Sequence, residues 1–97
     1  MEFEWDYDKE NKNFQKHRIM FTESVETFYD LLGFKLIDCS HSENELRFYW
    51  VGKSKSGRVL TTWYTERNLK IRIIGSAEWR KLRKLYYERA KAKKPPH

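Results

Sequence analysis

Residues 58–74 read RVLTTWYTERNLKIRII, and this stretch decides the fold. Arg58 to Thr65 is dense in β-branched and aromatic side chains, and Leu69 to Ile74 alternates apolar with basic residues. Between them, Arg67-Asn68 makes a tight connection, so the stretch predicts an antiparallel hairpin. With the turn over Arg67-Asn68, Thr65 faces Lys70 and Trp63 faces Arg72. Leu60, Thr62, Tyr64, Leu69, Ile71 and Ile73 then share one mostly apolar face. Thr61, Trp63, Thr65, Lys70 and Arg72 share the other. A one-residue slip would exchange the two series, so the register carries chemical meaning.

The flanking sequence extends this hairpin into a sheet. Residues 46–51 and 34–39 are candidate strands upstream, and Lys53-Ser54-Lys55-Ser56-Gly57 is a turn by composition. Glu2-Phe3-Glu4-Trp5 alternates as a short first strand. Asp6 or Asp8 is placed to cap a surface helix over residues 9–17, in which Phe14 is the main apolar residue. Thr22 or Ser24 opens a second helix to about Leu32, with Val25, Phe28, Tyr29 and Leu32 in one stripe and Gly33 at its end. Gly75-Ser76 reads as a break, with Ser76 capping a last helix over residues 77–92. The expectation is a small α+β domain over residues 1–92, an antiparallel meander packed with two N-terminal helices and one C-terminal helix. Residues 93–97 are expected to form a disordered basic and proline-containing tail.

Charge is distributed unevenly. Residues 1–78 hold 12 Lys+Arg and 13 Asp+Glu, whereas residues 79–97 hold eight basic residues and one acid. The overall +6 is therefore local to the last helix and tail. Such a block suits a polyanion, nucleic acid foremost, or a solvated helix face. The acidic opening MEFEWDYDKE lacks the basic start and apolar run of a secretory signal, and no apolar run reaches membrane length. A cytoplasmic protein without membrane contact is expected. Cys39 is the lone cysteine, so no intrachain disulfide is possible.

The chemistry is narrowed by exclusion. His17, His41 and His97 are scattered and have no metal-ligand spacing with one another or with Cys39, so neither a metal nor a cofactor is expected. The four glycines form no phosphate-cradling loop. What remains is a set of cations and hydroxyls on or beside the sheet: Arg47, Thr65, Arg67 and Arg72, with Lys16-His17 on the first helix. Metal-free RNA cleavage needs few protein groups, because the 2′-OH is the nucleophile. A base takes its proton, cations stabilise charge on phosphorus, and an acid protonates the leaving oxygen. Each residue also has an ordinary role, as a surface ion pair on a strand or a cation at a helix C-terminus.

The order of these residues adds to that reading. Trp5-Asp6-x-x-Lys9-x-x-x-Asn13-x-x-Lys16-His17 followed by Phe21 resembles the opening of the BrnT family of type II toxin–antitoxin toxins. Arg47 ahead of Gly52, Arg58-Val59-Leu60, Tyr64-Thr65-Glu66-Arg67 and Ile71-Arg72-Ile73-Ile74 resemble its later pattern. The resemblance implies a RelE-like fold, an RNA-cleaving toxin, and an antitoxin protein that neutralises it and supplies any contact with DNA. It also implies roles for Lys16, His17, Thr65, Arg67 and Arg72 in catalysis. Arg47, Tyr64, Arg80, Lys81, Arg83 and Lys84 would bind RNA, with base and acid unassigned. Past the last strand the family's Ser-Ala-Arg-Lys-Ala and Arg-Arg-Glu-Arg-like run are replaced. Ala77 stands at the arginine and Arg83 at the glutamate, so a non-catalytic RNA- or protein-binding relative is the alternative.

Overall fold

The computed structural model describes residues 1–41 and 44–93. The elements run β1 (Glu2–Trp5), α1 (Tyr7–His17), α2 (Phe21–Thr27), β2 (Phe34–Ile37), a 3-10 turn (Cys39–His41), β3 (Arg47–Lys53), β4 (Val59–Arg67), β5 (Lys70–Ala77) and α3 (Arg80–Ala92). Five strands form one sheet in the order β1-β5-β4-β3-β2. The meander from β2 to β5 is antiparallel, and β1 joins the far edge parallel to β5. The α+β class is as expected, and the first strand makes the sheet mixed. Of the expected 93–97 tail, all but Lys93 lies outside the described residues.

The hairpin forms, but its register is two residues from the expected one. Asn68 and Leu69 both have positive φ (50° and 64°), the conformation of a two-residue turn matched to strand twist. Arg67 therefore faces Lys70, and Thr65 faces Arg72 rather than Lys70. A slip of two conserves the faces, so Trp63, Thr65 and Arg72 still share one side. Leu69 leaves the apolar series and sits 100% exposed at the turn.

β5 also runs on where a break was expected. A bulge between Trp63 and Tyr64 shifts the pairing, so Trp63 faces Gly75 and Thr62 faces Ser76. Ser76 is thus a strand residue whose Oγ lies 3.0 Å from Thr62 Oγ1, and Trp79 takes the N-cap position of α3 without a side-chain cap bond. Gly75 is needed for close approach, because a Cβ there would run into the Trp63 indole.

The sheet separates two cores. On one face Phe28 packs with Phe48 and Tyr64, flanked by Phe3, Trp50 and Ile71. On the other, Tyr86 of α3 packs with Phe34, Val51 and Val59, flanked by Leu36, Leu82 and Leu85. α2 ends at Thr27, short of Leu32, leaving Tyr29 and Leu32 exposed. Asp30 explains the stop: its carboxylate accepts from Leu32 N at 3.0 Å and Lys53 N at 2.8 Å, drawing the chain into a turn.

α1 is held by polar rather than apolar contacts. Glu10 and Asn13 are its buried residues, while Phe14 is only partly covered. Phe21 N donates to Glu10 Oε2 at 2.8 Å. Asn13 Nδ2 donates to Ile19 O at 3.1 Å, and Asn13 Oδ1 accepts from Ser76 N at 3.0 Å. Asp6 caps the helix by accepting from Asp8 N and Lys9 N. These bonds fix the last turn of α1, and with it Lys16 and His17, against β5.

Candidate functional site

The α3 face of the sheet is covered only in part. Beyond the Tyr86 core, Trp79 stacks on Trp63 (centroids 5.2 Å apart, 12° between planes), with Tyr49 against its edge. Past these rings the face opens. Strand pairing sets Arg47, Thr65 and Arg72 in one row across β3, β4 and β5, with Glu4 of β1 next to Arg72.

A groove of about 490 Å³ lies over this row, lined by Ser40, His41, Asn44, Glu45, Arg47, Thr65, Arg67 and Ile74. A second, of about 300 Å³, is lined by Lys9, Lys12, Asn13, Lys16, His17, Trp63 and Ile74. Ile74, the extra residue of the bulge, lines both, so the two grooves adjoin there. The sheet register and the α1 anchor thus bring four residues expected to be catalytic (Lys16, His17, Thr65 and Arg67) to one surface. Arg72 stands beside Thr65 in the same row.

The arginines arrive paired. Arg67 makes a bidentate contact to Glu45, Nε–Oε2 2.8 Å and Nη2–Oε1 2.9 Å. Arg72 Nη1 donates to Glu4 Oε2 at 2.9 Å, and Arg47 Nε lies 3.4 Å from Asp38 Oδ2. These carboxylates hold the guanidinium groups in place and are what an incoming phosphate must displace. Thr65 differs: it is 5% exposed, and its Oγ1 has no hydrogen-bond partner. A buried hydroxyl without a partner is a natural anchor for a ligand oxygen.

His17 packs edge-on against Trp63, with centroids 6.3 Å apart. Burial, with Lys16 beside it, holds the His17 pKa below its ordinary 6.5, so the ring is neutral at pH 7. A neutral imidazole can accept a proton. On the opposite bank, His41 Nδ1 lies 3.0 Å from Asp38 Oδ2 and 3.2 Å from Oδ1. The sequence reading passed over this pair, although the Asp38-x-x-His41 spacing was visible and matches one helical turn.

The other expected residues lie elsewhere. Tyr64 is 2% exposed on the opposite face between Phe28 and Phe48, and burial, then the nearby Glu66 charge, pushes its hydroxyl pKa up. The groove does not include it, because β4 alternates and Tyr64 is out of phase with Trp63 and Thr65. Arg80, Lys81, Arg83 and Lys84 are exposed on α3 and line neither groove. Ala77 is a buried residue of β5 facing Thr61, on the groove side of the sheet but nearer α3. Arg58 is structural: its Nε donates to Glu23 Oε2 at 3.0 Å and its Nη2 to Glu23 Oε1, tying β4 to α2. Among the described residues, no helix is long and apolar enough to cross a membrane, and no three His, Cys, Asp or Glu cluster to hold a metal.

Comparison with known proteins fits this arrangement. No curated protein sequence matches significantly. Among solved structures, the ribonuclease toxin BrnT of Brucella abortus superposes with a TM-score of 0.60 at 13% identity, covering 81% of this chain and 96% of that one. At that identity the likeness shows the shared fold. The family model described as "Ribonuclease toxin, BrnT, of type II toxin-antitoxin system" matches residues 5–82, from the first strand into α3. The chain belongs to the BrnT family of ribonuclease toxins, whose type II systems pair such a toxin with an antitoxin protein and whose substrate is RNA.

Proposed function

We propose that this protein cleaves RNA without a metal ion, in the tract running from Lys16-His17 to Thr65-Arg67. The observation that carries the reading is the row Arg47, Thr65, Arg72, set side by side by the β3-β4-β5 register on the open face. Arg67, Arg72 and Arg47 bind the scissile phosphate and stabilise the charge that builds on it. Thr65 Oγ1 donates to a phosphate oxygen. His17 takes the 2′-OH proton, with Lys16 contributing positive charge beside it. The 2′-oxygen then attacks phosphorus and displaces the 5′-oxygen.

The basic face of α3, with Arg80, Lys81, Arg83 and Lys84, holds flanking RNA backbone. An antitoxin neutralises the protein in the cytoplasm, and DNA is reached only through that partner.

Cleavage by the full chain in chelator tests this directly, beside Arg72→Ala and His17→Ala. Wild type is expected to leave 2′,3′-cyclic phosphate ends. Arg72→Ala should lose about 10²–10³-fold, and His17→Ala about 10²-fold or more. Because the base must be neutral, the rate should rise with pH to a plateau, with its midpoint below that of an ordinary imidazole. A folded wild-type chain inert on several RNAs, with ribosomes present, would leave the binding-module reading instead.

A further inference from the structure

We propose that His41, held by Asp38 on the β3 side of the groove, is the acid that protonates the leaving 5′-oxygen. The proposal rests on the reading that RNA is cut in this groove, and it supplies the proton donor that reading lacks.

A surface imidazole with no partner samples many rotamers. His41 is instead fixed through Nδ1 to both Asp38 oxygens, and Ser40 Oγ braces the pair, 2.9 Å from Asp38 Oδ1 and 3.0 Å from His41 Nδ1. Asp38 is buried, and its backbone N donates to Arg47 O at 2.8 Å, which ties it to β3. Burial works to raise its carboxyl pKa, but hydrogen bonds from Ser40, His41 and Tyr49 outweigh burial and keep it below the ordinary value. It is therefore a carboxylate at neutral pH. A carboxylate against Nδ1 orients the ring and leaves Nε2 for the substrate.

Among the described residues, the charged groups around His41 in the groove are Asp38 and Glu45, with Arg47 and Arg67 from β3 and β4. A phosphate seated on Thr65, Arg47 and Arg67 would occupy the His41 groove, which adjoins the His17 groove at Ile74. His17 removes the 2′-OH proton, and the 2′-oxygen forms its bond to phosphorus. The phosphorus–O5′ bond breaks, and O5′ takes the Nε2 proton of His41. The products are a 2′,3′-cyclic phosphate and a 5′-hydroxyl, and solvent then takes the proton from His17 and returns one to His41. Asp38 is a positioning residue.

The test uses the full chain in chelator with two RNA oligonucleotides. One is unmodified, and in the other sulfur replaces the 5′-oxygen at the cleaved linkage, giving a leaving group that needs no proton. His41 is 58% exposed, so His41→Ala should keep its melting temperature and RNA affinity. Its cleavage of ordinary RNA should fall by about 10²-fold or more, and its cleavage of the sulfur-substituted RNA should stay within about threefold of wild type. Asp38→Asn should likewise slow cleavage of ordinary RNA and spare the sulfur-substituted RNA, because His41 loses the carboxylate that orients it.

If His41→Ala cleaves ordinary RNA normally while Arg72→Ala does not, His41 is not the acid and the groove reading stands. Equal losses on both RNAs also overturn the acid role. A folded wild type that cuts neither RNA overturns both proposals.

Discussion

The two faces of the sheet are built from the same strands and do opposite things. Along β4, Leu60, Thr62 and Tyr64 point into a face that is sealed, and each is nearly inaccessible. Thr61, Trp63, Thr65 and Arg67 point the other way, where α3 covers one end and the rest forms the groove. On the sealed face aromatic rings pack against one another. On the open face, arginines are paired with carboxylates and one buried hydroxyl has no partner. Stability and chemistry are thus divided by the two-residue period of a strand.

The sharpest way to break that division is along β5, where Arg72 and Ile73 are neighbours on opposite faces. Ile73→Ala removes a 1%-exposed core side chain and should cost about 2–5 kcal/mol in denaturant melts. Cleavage per folded molecule should remain. Arg72→Ala should show the reverse, with activity lost and the melt little changed. If both substitutions moved stability alone, the open face would be ordinary surface.

Glu23 offers a pH test of the sealed side. The hydrogen bond from Arg58, opposed by burial and aided by Ser54 and Ser56, lowers its carboxyl from 4.5 to about 2. Its folded pKa is depressed, so the contribution is present above about pH 4.5 and lost as pH falls towards 2. The amount is about 3 kcal/mol. Glu23→Gln should lower stability at pH 7 and flatten the acid limb of a stability-against-pH curve. An unchanged limb would mean that the pair is not fixed in solution.

Gly75→Ala tests the join between the regions. The added Cβ runs into the Trp63 indole, which carries the Trp79 stack and the His17 contact. About 1–3 kcal/mol should be lost, and cleavage should fall with it, because His17 loses its packing partner.

The smallest expected effect is a gain. Leu69→Gly relieves positive φ and removes an exposed Leu from the hairpin tip. Thermal melts should rise by the equivalent of about 0.5–1 kcal/mol.

Much of the open face was legible because a strand's side-chain alternation survives an even error. Turning the hairpin at Arg67-Asn68 misplaced the pairs next to the turn by two residues, yet Thr65, Trp63 and Arg72 kept their face. Gly75-Ser76 misled because a glycine that admits an indole looks, in sequence, like one that ends a strand. The end of α2 was missed because the Asp30 turn depends on Lys53 N, distant in sequence. α1 was read only as a surface helix, because its anchors, Glu10 and Asn13, are polar and carry no hydrophobic signal. In the site, the arginines and Lys16-His17 stood out in the sequence, whereas the Asp38-x-x-His41 spacing carried no sign of where it would lie. That pair falls between strands, and only the fold brings it to the groove.

The most direct measurement is amide chemical-shift mapping of the full chain with a short RNA whose 2′-hydroxyls are methylated, so that it binds without being cut. Perturbations centred on His17, Arg47, Trp63, Thr65 and Arg72, with Phe28, Phe48 and Ile73 quiet, are the expected result. Shifts confined to the α2 side of the sheet, or no binding at all, would contradict the assignment of the open face to RNA.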